Sequence, residues 1–128
     1  MYSIQVDVDR NLVRAELEGF WTSNDFERFM ADEHAALGKL SCPTGKHILL
    51  CDLSKLNVVA QNVVPHIVTD MNSQGPGDAA WIAIVIQSAL LKIQMQRLIT
   101  RPNMMIFDTA PQAEEWLLAE SGYGQVTG

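Results

Sequence analysis

The chain has 128 residues, 48% of them hydrophobic and 19% charged, with a net charge of -6 and a pI near 4.8. That length fits one domain around one core, the composition excludes a disordered chain, and no apolar run approaches the roughly 20 residues of a membrane-spanning helix. The acidic balance disfavours nucleic acid, whose phosphate backbone is bound by clustered Lys and Arg.

Residues 3–8 alternate Ile4, Val6 and Val8 against Gln5 and Asp7, and residues 13–17 alternate Val13, Ala15 and Leu17 against Arg14 and Glu16. Period two, twice, with Asp9-Arg10-Asn11 between, predicts an antiparallel hairpin with one wet face, closed by Gly19-Phe20-Trp21. Thr22-Ser23-Asn24-Asp25 offers N-caps for a helix whose apolar stripe is Phe26, Phe29, Met30, Leu37 and Leu40. Ser41-Cys42-Pro43-Thr44-Gly45 breaks the chain, after which His47-Ile48-Leu49-Leu50-Cys51 runs apolar without alternation, as a strand covered on both faces does.

Asp52-Leu53-Ser54-Lys55-Leu56-Asn57-Val58-Val59-Ala60-Gln61-Asn62 then reads as a loop opening a second helix, over 63 to about 72, capped by Asn62 and tolerating Pro65 in its first turn. Ala80-Trp81-Ile82-Ala83-Ile84-Val85-Ile86 is the most apolar segment and reads as a central strand. Ser88 starts a third helix with Leu91, Met95, Leu98 and Ile99 inward, stopped by Arg101-Pro102-Asn103. Met104-Met105-Ile106-Phe107 is a last strand. Thr109 with Gln112 forms a capping box for a fourth helix that buries Ala113, Trp116 and Leu117 and ends at Gly122. The expected fold is α/β, a five-stranded mixed sheet with four helices in the order β-β-α-β-α-β-α-β-α, one domain over 1–122 with a loose tail over 123–128.

No motif carries catalysis. There is no Gly-x-Ser-x-Gly elbow, no Gly-rich phosphate loop with Lys, and no His placed beside a nucleophile; Asp52 and Asp108 both end strands but lack a demonstrable pocket. His34, His47 and His66 are scattered, and Cys42 and Cys51 are two free thiols outside any metal spacing, so no metal or cofactor is expected. The first seven residues lack the basic and apolar regions of a secretory signal, which predicts a cytoplasmic location.

The element order, with Asp52-Leu53-Ser54 after the third strand and Phe107-Asp108 followed by Ala113-Glu114-Glu115-Trp116-Leu117, resembles the STAS superfamily, and within it the SpoIIAA-like (STAS/SEC14) branch. In the bacterial anti-sigma-factor antagonists, the resemblance implies a partner-switching module that binds a regulatory, anti-sigma-like kinase and is released by phosphorylation of a serine at the start of the second helix. Their Asp-Ser-Ser-Gly positions fall here on Ala60, Gln61, Asn62 and Val63, so the phosphoacceptor is missing. A phosphate would add about -1.5 to -2 charges at a helix N-terminus, and Gln61 and Asn62 cannot accept one.

The candidate partner- or ligand-binding residues are Ser54, Asn57, Gln61 and Asn62 on the loop, Gln87 and Ser88 at the neighbouring strand end, and Arg97 and Arg101 one turn apart on the third helix. Each has a bland counterpart: Ser54 and Asn57 hold the loop through local bonds, Asn62 and Ser88 cap helices, and the arginines complement a helix dipole. The sequence supports two functions, a non-enzymatic protein-interaction module and a carrier of a small apolar, lipid-like ligand, the second requiring a cavity. Pairing through the hairpin edge makes a homodimer compatible with both.

Overall fold

The computed structural model describes residues 2–40, 46–59, 79–99 and 102–123. Its elements are β1 (Tyr2–Asp7), β2 (Leu12–Trp21), α1 (Ser23–Leu37), β3 (Ile48–Val59), β4 (Trp81–Val85), α2 (Ala89–Leu98), β5 (Met104–Phe107) and α3 (Ala110–Ser121). The strands form one sheet in the order β1-β2-β3-β4-β5, antiparallel at the first pair and parallel thereafter.

Sequential parallel strands joined by right-handed crossovers put their connecting helices on one face. That face holds the larger core: Val13, Ala15, Leu17, Leu49, Cys51, Leu53, Ile82, Ile84 and Ile86 from the sheet and its margins, with Phe29 of α1 and Met95 of α2. The opposite face carries Leu12, Ile48, Leu50, Ala83 and Val85, covered by Ala113 and Leu117 of α3. Trp116 meets the rings of Trp81 and Phe107 at 5.7 and 5.5 Å. α3 packs on β3, β4 and β5, and toward β1 and β2 the same face turns polar, with Gln5 and Glu16 exposed. Arg14 of β2 marks the border, bonding Glu114 on α3 with Asp7 of β1 3.9 Å away. Alternation in the hairpin against continuous apolar runs in β3 and β4 is thus the imprint of one covered face versus two.

Local chemistry fixes the ends. A 3-10 turn at Val8–Arg10 joins β1 to β2, the Asp7 side chain accepting the Arg10 amide, and Asn11 closes it in the left-handed region at φ 52°. The Asn11 carbonyl accepts the Ile48 amide at 2.9 Å, which ties the hairpin to β3. α1 has a reciprocal capping box between Thr22 and Asp25. Hydrogen bonds between Asp25 and Thr22 hold the Asp25 carboxyl below its ordinary value. Thr109 caps α3, and Gly122 ends it at φ 80°.

Two expectations change. The described residues contain three α-helices, and the helix expected over 63–72 lies outside them. Tyr123, assigned to the tail from sequence, packs against the α3 core cluster and donates its hydroxyl to the Lys46 carbonyl at 2.7 Å.

Candidate functional site: the carboxyl rim of strands β3 and β4

The segment read from sequence as a loop after Cys51 is strand. β3 continues through Val59 because β2 is also longer than its alternating core, reaching Trp21 and supplying a ladder partner for Lys55, Leu56, Val58 and Val59. The correction places Ser54 and Asn57 on β3 rather than on a helix-opening loop. β-branched Val58 and Val59 suit that extended backbone.

The ladder is interrupted in a defined way. Glu16 pairs with Asp52 but Glu18 pairs with Lys55, so β3 carries an extra residue, and a second shift follows at Gly19, whose φ is 84°. At the first shift the Asp52 side chain, only 9% exposed, turns back on its own strand and accepts the Ser54 amide at 2.9 Å. A buried carboxylate and a backbone N–H freed by the bulge satisfy each other.

β4 pairs with β3 only as far as Asp52 and Val85. Beyond that row buried Ile86 still donates its N–H to the Phe107 carbonyl of β5 at 3.0 Å, the chain leaves the sheet at exposed Gln87, and the Ser88 side chain accepts the Leu91 amide at 3.3 Å, capping α2. Among the described residues, 55–59 therefore has a strand neighbour on the β2 side alone. The rim consists of this β2–β3 ribbon, with half-buried Ser54 at its base, and of Gln87 and Ser88 beside the positive end of α2.

The structure brings Ser54, Gln87 and Ser88 to the same end of the sheet and sets Arg97 apart. Arg97 is exposed in the last turn of α2, nine residues from Ser88, or about 13 Å along the helix axis. Gln61, Asn62 and Arg101 lie outside the described residues. The acidic pair considered from sequence does not assemble, because Asp52 bonds backbone while exposed Asp108 pairs with Lys92 of α2. Cys51, directly before Asp52, is fully enclosed, and burial, reinforced by the charges of Glu33 and Asp52, pushes its thiol far above the ordinary value. It is a packed apolar side chain rather than a nucleophile. Among the described residues no three His, Cys, Asp or Glu side chains gather in a group fit for a metal ion, and no helix is long and apolar enough to cross a membrane.

One concavity was missed from sequence. It is an open groove of about 480 Å³ between β1 and α1, lined by Tyr2, Ile4, Val6, Val8, Asp32, Ala35, Ala36 and Lys39. The signal was present in the unassigned side of the first helix, where Asp32, Ala35, Ala36 and Lys39 recur at helical spacing.

No family model matches the chain, and no curated protein does. Among solved structures, the chain is similar to an uncharacterised protein of the DUF3478 family with a SpoIIAA-like fold from Shewanella loihica PV-4. That match has a TM-score of 0.61 at 16% identity and covers 91% of this chain and 93% of the other. With the strand order and helix placement described above, that likeness shows a SpoIIAA-like fold for this chain.

Proposed function

We propose that this chain is a non-enzymatic, regulatory protein-interaction module, built like the anti-sigma-factor antagonists but without their phosphoacceptor, and that its partner docks on the carboxyl rim of β3 and β4. The observation that carries the reading is the length of β3. Residues 55–59 extend past the last β4 pair and, among the described residues, have no strand partner on the side away from β2, the kind of edge an extended segment of a partner adds to by strand pairing. Gln87 and the α2 N-terminus supply polar groups next to that edge. With Gln61 and Asn62 where the antagonists carry Ser, docking here is not toggled by a phosphate at those positions.

The test is affinity purification of the tagged chain from its native cells. A specific partner, of the kinase-like or anti-sigma-like kind, is expected. Its recovery falls when Asn57, Gln61 and Asn62 are changed together, or when exposed Gln87 becomes Gln87→Arg, and is kept by Glu120→Lys on α3. Repeated recovery of nothing specific, or equal recovery by all variants, overturns the reading.

Carriage of a small apolar ligand is the weaker alternative. The β1–α1 groove has a volume within the range of about 300–1,000 Å³ common for ligand pockets, but it lies open at the sheet edge, whereas such sites enclose most of their ligand. A lipid-sized adduct retained in native mass spectrometry supports carriage, and its consistent absence removes it.

A further inference from the structure

We propose that the groove between β1 and α1 seats a second copy of this chain, the two β1 strands pairing antiparallel about a two-fold axis so that the two sheets become one. The proposal goes beyond the partner rim, which lies at the ends of β3 and β4.

The first argument is the edge. Among the described residues β1 pairs with β2 alone, which leaves its outer row of backbone donors and acceptors without a strand partner there. Residues 3–6, Ser3-Ile4-Gln5-Val6, carry no Lys, Pro or bulge of the sort that protects exposed edges. β5, at the other edge, has four residues and is protected by shortness. Beside β1 runs an apolar strip of Tyr2, Ile4, Val6 and Val8, with Val8 46% exposed, and the strip continues onto α1 through exposed Ala35, with buried Ala36 at its floor.

The second argument is the arrangement of charge. Asp32 and Lys39 stand at opposite ends of the groove lining, seven residues or about 10 Å apart along the helix, with Ala35 and Ala36 between them. Past the end of α1 at Leu37 the bonds tighten to i→i−3, Lys39 N–H reaching the Ala36 carbonyl at 3.0 Å, and this last turn carries Lys39 to the groove lining. A two-fold axis reverses the stripe against itself. Ala35 then opposes the partner's Ala36, and Asp32 opposes the partner's Lys39, twice per dimer. Centred on Gln5, the same axis sets Ile4 opposite the partner's Val6 and leaves no like charges paired across the strands. α1 packs over both β1 and β2, which sets it back from the edge, and the small side chains at Ala35 and Ala36 let two such helices approach to the 8–10 Å typical of packed pairs. An isologous contact of this kind closes on itself and does not propagate into fibres.

The experiment is sedimentation equilibrium of the full chain over a wide concentration range, at about 0.15 M salt, where a Debye length of about 8 Å mutes the repulsion between two chains of net charge -6. A reversible monomer–dimer equilibrium is expected. Lys39→Asp, at an exposed position, weakens it about tenfold or more, and so does Asp32→Lys. The two changes together restore it, which a merely structural effect does not do. Asp32 also accepts the Tyr2 hydroxyl, so circular dichroism accompanies Asp32→Lys, and amide exchange of residues 2–7, slowed as concentration rises, gives a readout without mutation. A monomer at every concentration, a dimer indifferent to both single changes, or a monomer holding a small-molecule adduct overturns the proposal. Each of these results leaves partner recovery through the β3–β4 rim intact, so the two readings fail separately.

Discussion

The Asp52 carboxylate and the Ser54 amide, two residues apart on one strand and 2.9 Å from each other, close the bulge at which β3 begins its extension beyond β4. Side chain and backbone replace the ladder bond that the extra residue removes. Asp52→Ala leaves the half-buried Ser54 N–H without this acceptor and is expected to lower stability by about 1–3 kcal/mol. Asp52→Asn keeps an acceptor oxygen in place and is expected to lose clearly less. Urea unfolding of the three chains, with equal slopes, checks this.

Leu117 is fully buried in the cluster beneath α3, the helix that covers the second face of the sheet. Leu117→Ala removes buried methyl groups from the layer between α3, β3 and β4, and is expected to cost about 2–5 kcal/mol according to how far the site collapses. A chemical denaturation midpoint shifted well beyond that of Glu120→Ala, exposed on the same helix, is the expected result.

Asp25 gives stability a definite acid dependence. Its folded-state value lies below the ordinary 3.8 because its carboxylate accepts from the Thr22 backbone and side chain. The unfolded chain therefore binds this proton first, so the contribution is complete above 3.8 and is lost as pH falls through the lowered folded value. Asp25→Asn is expected to be less stable than the parent at neutral pH, with the difference closing in strong acid; thermal melts across that range measure it. Thr22→Ala removes the reciprocal half of the box and is expected to cost about 0.5–2 kcal/mol.

Cys51 responds to base in the opposite sense. Burial keeps its thiol neutral in the folded chain while the unfolded thiol ionises near 9.0, so this group makes stability fall as pH rises above 9.0. In a Cys42→Ala chain, where Cys51 is the remaining cysteine, a thiol reagent is expected to label nothing in native buffer and to label fully on unfolding. Fast native labelling contradicts its enclosure.

The fold was legible where a periodicity met a matching layer. Ile4, Val6, Val13, Ala15 and Leu17 alternate because α1 covers one side of their hairpin, and 82–86 runs apolar because helices cover both sides. Caps at Ser88 and Thr109 and the stop at Gly122 were readable because each is set by a side chain or glycine adjacent in sequence, and the α1 cap, Thr22, is the first of the four candidates over 22–25. The extension of β3 was not readable from 52–59 alone. Asp52-Leu53-Ser54 has loop chemistry, and it becomes strand through a ladder with β2, residues about 35 positions earlier, which no local pattern encodes. The β1–α1 groove was hidden for a related reason: Tyr2 and Asp32 meet only after the hairpin edge and the helix are packed together.

Amide hydrogen exchange of the chain with and without its recovered partner measures the central claim most directly. The account predicts slowed exchange in 53–59 and around Gln87 and Ser88 on binding, with α3 unchanged. Protection confined to α3, or none on the β3 extension, contradicts it.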